Sequence, residues 1–361
     1  MTGGASGDPH AVRKAPTLYD VAALAGVSHQ TVSRLVKGQT NIRPEIRERV
    51  EAAIGALNYR PNRVARSLAT NRSHRIGALF FDRFDEVGPT RSLQAASDRA
   101  RDAGYLLDIV GLDPAAPGEI DRAISLVDQG DVAGIMVFAP TESVVSAIQL
   151  ADFPVPVYVE FDTAHPVPAQ QLTSNVAGTR PLVQQLTVNA SGTRLLVQHL
   201  LDLGHRRFFT IAGPLDWYAA KARLVAYEEM VAENRVFSGG MIAGDWGSKS
   251  GYVAAMRMPL DQGITGIVVA NDQMALGALK ALDERGVRVP DDMSVVGFDD
   301  IPEAQFFKPS LTTIGLDFDR QGRMAMDHLL AMIDPRIAVL DKQPLAPELV
   351  VRQSSGPVAA R

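Results

Sequence analysis

The chain contains no cysteine. That excludes disulfide staples and thiolate metal sites, and it accords with a reducing compartment. It has no run of about 18 apolar residues, the length a membrane-spanning helix needs. The first sixteen residues, MTGGASGDPHAVRKAP, place charges after polar residues and carry no apolar core, so they do not read as a secretory signal. Residues 1–16 are expected to be a disordered tail on a cytoplasmic protein. GxSxG, HExxH and glycine-rich phosphate loops are absent, and the seven histidines show no metal-ligand spacing. Neither an enzyme nor a metal or cofactor site is expected. The C-terminal RQSSGPVAAR carries no leucine heptad, which argues against coiled-coil assembly at that end.

What is present begins with charge. Residues 1–75 hold 12 Lys/Arg against 5 Asp/Glu, whereas the remaining 286 hold 24 against 36, which leaves a net charge of −5 overall. A basic head on an acidic body is the electrostatic layout of a nucleic-acid-binding module joined to something else. Within that head, TLYDVAALAGVSHQTVSRLVKGQ from Thr17 reads as two short helices around a glycine turn. The first covers about residues 18–24. Gly26 takes the left-handed conformation of the turn, and Ser28 caps a second helix over about 29–37. Val32 and Val36, four residues apart, face inward and leave His29, Gln30, Ser33 and Arg34 outward. A short polar helix held out on a small apolar platform suits a DNA major groove. Pro44 opens a third helix to about Asn58, with Ile46, Val50, Ile54 and Leu57 at helical spacing. After the break at Tyr59-Arg60-Pro61-Asn62, RVARSLAT is too short and too basic to be helical unless docked.

From Ile76 the texture changes. Short apolar runs (IGALFF, YLLDIVGL, GIMVFA, VPVYVEF) alternate with amphipathic helices, and the cycle repeats after residue 187 with FFTIAGP, GIVVA and MSVVGFDD. The helix that opens this second cycle is expected over about Gly192–Leu203. This βαβ rhythm predicts parallel sheets in two lobes, with ligands at the carboxyl ends of the strands and a cleft between. Residues 171–184 and 185–198 match at ten of fourteen positions in tandem. Pro181 spoils the first copy as a helix interior, so the second is read as the working one.

Together, TLYDVAALAGVSHQTVSR, NYRPNRVARSLATNRSHRIG, HLLDLGHRRFFTIAGP, VVANDQMALGALKAL, SVVGFDD and PSLTTI resemble the lactose-repressor and galactose-repressor family of bacterial transcription regulators, across about residues 17–353. The resemblance implies an α/β protein: a three-helix helix-turn-helix head (17–60), a hinge helix and linker (61–74), a two-lobed periplasmic-binding-protein-like core with parallel sheets (75–353) and a tail (354–361). It further implies a homodimer on operator DNA, released by a small-molecule sugar, with no membrane partner. Base contacts are expected from His29, Gln30 and Arg34, since Arg and Gln grip guanine and adenine in bidentate forks. Thr17, Ser28, Thr31, Ser33 and Asn41 are expected at phosphates. By resemblance, Leu68 wedges into the minor groove at the operator centre, with Asn62 and Ala65 near the backbone and groove floor.

Sugar sites combine carboxylates, Asn and Arg with an aromatic face. Asn271 and Asp272 follow one strand, Asp299 and Asp300 another, and Arg223 and Trp246 lie in the same half. The resemblance implies effector contacts from Arg223, Trp246, Asn271, Asp299 and Phe318. Glu160 occupies a further acidic position if no gap is placed, and Asp162 is the alternative. Trp217, Tyr218, Phe80 and Phe81 are bulky additions near the cleft and point to a different or larger glycoside. A galactoside-like inducer is the leading expectation. The alternatives are a corepressor, or a transport-type sugar-binding protein, which fits residues 76–353 but not the basic head.

Overall fold

A computed structural model describes residues 16–36, 41–59, 73–80, 87–111, 116, 118–129, 131–165, 182–339, 341 and 343–358. The chain divides into two compact units, Met1–Arg72 and Ser73–Arg361. The expected tail over 1–15 and the hinge residues Asn62, Ala65 and Leu68 lie outside the described residues.

The first unit holds helices α1 (Leu18–Ala25), α2 (His29–Val36) and α3 (Pro44–Leu57). Val21, Ala22, Ala25, Val32, Val50, Ala53 and Tyr59 are buried together as its core. Gly26 closes α1 at φ +63°, a conformation costly to any residue with a Cβ. Arg49 on α3 locks this turn, its Nη2 donating to the carbonyls of Ala25 at 2.5 Å and Gly26 at 3.3 Å. A cation placed there also meets the negative end of the α1 dipole.

The second unit contains two parallel sheets. In the first lobe β1 (Arg75–Phe80), β2 (Leu106–Gly111), β3 (Gly134–Phe138), β4 (Val157–Asp162) and β5 (Leu182–Leu186) pair in the order β2-β1-β3-β4-β5. Helices α4 (Val87–Asp102), α5 (Glu119–Asp128) and α6 (Glu142–Leu150) connect them. The chain then crosses to the second lobe, where α7 (Val188–Asp202), β6 (Arg207–Ala212), α8 (Tyr218–Glu233), β7 (Phe237–Ala243), α9 (Ser248–Arg257), β8 (Gly266–Val269), α10 (Asp272–Glu284) and β9 (Ser294–Val296) build a sheet in the order β7-β6-β8-β9. A short antiparallel pair, β10 (Thr313–Gly315) with β11 (Glu348–Val350), flanks the return of α11 (Phe318–Ile333). That helix packs Ala325, Met326, Leu329 and Leu330 against Ile76, Met136 and Tyr158 of the first lobe. Both sheets carry buried apolar runs on their inner strands, as sheets covered on both faces require.

Several details differ from the sequence reading. The helix expected from Gly192 begins four residues earlier, at Val188. Gly192 is an interior residue of close approach: a Cβ there would stand 2.8 Å from the Phe298 ring. Strand β7 was missed because its FSGGMIA has two glycines and an exposed edge, which erase the apolar signature. The stretch LVQQL, read as part of the repeat, forms β5. Residues 354–358, expected as tail, are docked on the second lobe. Ser354 is fully buried, donating to the Val295 carbonyl at 2.6 Å, and the Val358 amide donates to the Leu203 carbonyl at 3.1 Å. Hydroxyl and backbone bonds hold this segment, so no apolar pattern announced it.

Candidate DNA-reading helix and ligand cleft

On α2, His29, Gln30 and Arg34 are exposed, while Val32 on the opposite face is fully buried. Ser28 caps the helix: its Oγ accepts from the Thr31 amide at 3.2 Å and shares a hydrogen bond with the Thr31 hydroxyl at 3.0 Å. Thr17 caps α1 in a reciprocal box with Asp20, donating its hydroxyl to Oδ2 at 2.7 Å. The His29 ring lies 5.2 Å from that of Tyr19. Ser33 is half-buried and Asn41 exposed. The helix therefore presents the polar set expected of it, and three of the five expected phosphate-contact residues (Thr17, Ser28, Thr31) also serve as helix caps or cap partners.

The second unit encloses a cleft of about 960 Å³, including space open to solvent, between the carboxyl ends of the two sheets. That is the place usual for ligands in such folds. Arg223, one turn into α8 and 9% exposed, sits at its base. Its Nε donates to Asn189 Oδ1 at 2.7 Å, Nη1 to the Ala270 carbonyl and Nη2 to Asp299 Oδ1 at 3.2 Å. The guanidinium also lies 3.8 Å over the Phe298 ring and 5.4 Å from that of Trp246. Held at every nitrogen, it is fixed before any ligand arrives. Trp246 and Asp299 stand at φ +71° and +108°, values unusual for residues with a Cβ, and strain of this kind persists where the surroundings fix it.

Three carboxylates share the cleft. Burial pushes Glu160 up to about 7, against the hydrogen bonds it accepts from Gln321 and Tyr158. Asp162 rises to about 6 by burial, opposed by hydrogen bonds from Asn189, and Asp299 to about 6 by burial, opposed by Arg223. The guanidinium that lines the cleft is already paired with Asp299, so the cleft suits a neutral, hydroxyl-rich ligand better than an anion. Phe80, Phe161, Trp217, Tyr218, Trp246 and Phe318 supply apolar walls. Trp217 and Trp246 meet edge-on at 6.0 Å, and Tyr218 tilts against Phe161 at 5.0 Å. Among the described residues, the two buried side-chain polar atoms lacking a hydrogen-bond partner are Asp162 Oδ1 and Trp246 Nε1. Both residues line this cleft.

Of the six effector residues expected from sequence, Glu160, Arg223, Trp246, Asp299 and Phe318 are brought together here. Asn271 does not line the cleft in this structure. It is fully buried and caps α10, accepting from the Met274 amide at 2.9 Å while donating to the Trp246 carbonyl at 3.0 Å. Through that bond it helps to position Trp246, and its Nδ2 also donates to Gln273 Oε1 at 3.0 Å. Asp272 is likewise internal, bonded to the Ile301 amide and Thr313 hydroxyl, and Asp300 pairs with Arg352 at 2.7 Å. Asp162, the alternative to Glu160, lines the cleft beside it. Sequence reasoning missed Asn189 and Gln321. Gln321 lies three residues after Phe318, on the same helix face, which is the signal that would have found it. Asn189 lies in the second copy of the tandem repeat; most of the first copy is outside the described residues. Phe81 is also outside them.

A helix-turn-helix head and a two-lobed binding-protein core define a ligand-responsive regulator rather than an enzyme. Residues 17–62 match the bacterial regulatory proteins of the lacI family, and residues 197–355 match a periplasmic binding protein-like domain. The chain is 35% identical over 346 residues to the lactose operon repressor of Escherichia coli (strain K12), covering 95% of this chain and 91% of that protein. It is 32% identical over 354 residues to the HTH-type transcriptional regulator CelR of Thermobifida fusca, covering 95% and 99%. Among solved structures, the Lac repressor bound to ONPG in its repressed state superposes with a TM-score of 0.82 at 34% identity, covering 95% of this chain and all (100%) of that one. A CelR–cellobiose complex does so at 0.66 and 28%, covering 94% and 99%. The chain belongs to the lacI family of bacterial regulatory proteins. No helix among the described residues is long and apolar enough to cross a membrane.

Proposed function

We propose that this chain is a sequence-specific transcriptional repressor that binds operator DNA as a homodimer and leaves it when a small glycoside, galactoside-like, fills the cleft. The observation that carries the ligand half is the pair of unsatisfied buried atoms in one cleft, an acceptor on Asp162 and a donor on Trp246. An unpaired buried polar group costs about 1–3 kcal/mol, and a sugar hydroxyl, which donates and accepts, satisfies both kinds. The acid excess and aromatic walls point to the same class. Relatives agree with it: one solved structure is a Lac repressor bound to ONPG, another a CelR complex with cellobiose, a disaccharide.

For the DNA half, His29, Gln30 and Arg34 read base edges, while Thr17, Ser28, Thr31, Ser33 and Asn41 face phosphates. Asn62, Ala65 and Leu68 act at the minor groove. The ligand acts by population shift: it favours a lobe arrangement unable to present both heads of a dimer to the operator. The test is selection of a binding site from random duplexes, followed by mobility shifts with galactosides and glucosides. Release by one of them supports an inducer. Tighter binding supports the corepressor reading, and failure to select any site overturns the repressor.

A further inference from the structure

Residues 354–358 run along the outer side of β9, the last strand of its sheet. Both backbone groups of Val295 meet Ser354 there. The Val295 amide donates to the Ser354 carbonyl at 2.8 Å, and the Ser354 hydroxyl donates to the Val295 carbonyl at 2.6 Å. Gly356 adds two bonds to the Ser294 side chain, its amide donating to Oγ at 3.0 Å and its carbonyl accepting from it at 3.2 Å. An uncovered strand edge is a row of unpaired backbone groups, so this segment serves as the cover of one.

Two histidines fasten the cover. Nε2 of His199, half-buried on α7, shares a hydrogen bond with the Ser355 hydroxyl at 2.9 Å. His205, 2% exposed in the turn before β6, places Nε2 at 3.0 Å from the Gly356 carbonyl. A carbonyl only accepts, so the Nε2 proton is fixed there, and Nδ1 of the neutral ring accepts from the Thr265 hydroxyl at 3.0 Å. The neutral imidazole is thus satisfied at both nitrogens. A second proton, on Nδ1, would force the Thr265 hydroxyl to turn to the Arg207 carbonyl at 3.5 Å. Burial holds both rings below their usual 6.5. Asp202 opposes this at His199; at His205 the bond to Gly356 opposes it, while His199 and Arg206 reinforce it. Beside His205 lies a cavity of about 450 Å³, including space open to solvent, bounded by Pro290, Pro357 and Val358. Asp291 and Asp292 also line it, and both are paired with Arg288. Solvent therefore reaches the wall that this ring helps to form.

We propose that residues 354–358 form a proton-sensitive strap: it covers the β9 edge while His199 and His205 are neutral, and mild acid releases it while the sheet beneath stays folded. Each histidine contributes stability that is full above about pH 6.5 and is lost as pH falls below it. Glu160, Asp162 and Asp299 are raised by burial, so acid stabilises the cleft and loosens the strap, two effects of opposite sign.

Native-state hydrogen exchange of the full, ligand-free chain between about pH 7.5 and 5.5, read peptide by peptide and corrected for the intrinsic exchange rate at each pH, tests this. Peptides holding Val295 and residues 354–358 should lose protection together as pH falls. The loss should reach up to about tenfold per pH unit for each histidine that gains a proton on release. Strand β8 should keep its protection. His199→Gln and His205→Gln retain a donor toward Ser355 and Gly356 but bind no second proton. Each should reduce the slope, and the double variant should abolish it. His199→Gln, at the half-buried position, decides the matter by itself if His205→Gln does not fold. Unchanged protection of residues 354–358 across the range overturns the proposal. So does loss of β8 protection at the same pH, or an equal slope in wild type and His199→Gln.

Discussion

Replacing Glu160 by Gln should flatten the pH dependence of stability in the second unit. Glu160 is buried on β4, and burial raises it from 4.5 to about 7 in the folded protein. Between those values the folded chain holds a proton that the unfolded chain releases. The contribution is therefore full below pH 4.5 and is lost as pH rises through about 7. At about 1.4 kcal/mol per pH unit, the loss attributable to this one group is about 3 kcal/mol. Gln has nearly the same shape and no proton to lose. Its carbonyl oxygen accepts from Gln321, and its amide donates to the Tyr158 oxygen. Urea unfolding of ligand-free wild type and Glu160→Gln at pH 5 and pH 8, followed by circular dichroism, measures the difference. Wild type should lose about 3 kcal/mol more than the variant across that interval. Asp162 and Asp299, both raised to about 6, leave a residual slope of the same sign in the variant. Equal slopes in the two proteins would refute the view that Glu160 is buried and costly to ionise.

Other substitutions test other parts. Gly26→Ala forces a Cβ into a φ of +63° and to 2.6 Å from Arg49 Nη2. It should lower the stability of the head by about 1–2 kcal/mol, seen in its melting, and leave the second unit untouched. Arg34→Ala should weaken operator binding by about 1–3 kcal/mol and relax preference at one base pair. Equal losses on operator and random duplex would reject a base contact. Arg223→Lys cannot satisfy Asn189, Ala270 and Asp299 together. It should cost the second unit about 3–5 kcal/mol and abolish ligand-induced fluorescence change, and ordinary binding by this variant would show that the guanidinium does not grip the ligand.

The head was legible because its signals are local: a cap, a turn glycine and apolar residues four apart all lie within about twenty positions. The lobes were legible as rhythm, since buried parallel strands are apolar runs. The cleft was legible in part. Arg223, Trp246, Asp299, Phe318 and Glu160 converge, but Asn271 shows the limit of reasoning from strand ends. Asn is both a sugar ligand and a helix cap, and only the fold shows that its amide is spent on Met274 and Trp246. Gln321 and Asn189 were missed for the complementary reason: apart from the helix face Gln321 shares with Phe318, they gain meaning from partners 161 and 34 residues away. The docking of Ser354 also depends on a long-range bond, to Val295.

Operator affinity with and without saturating glycoside, measured on the same protein sample together with glycoside affinity with and without operator, tests the central claim most directly. A glycoside that fills the cleft should weaken operator binding by about 5- to 150-fold, and operator should weaken glycoside binding by the same factor. Unchanged operator affinity at glycoside concentrations that saturate the tryptophan signal would contradict the account.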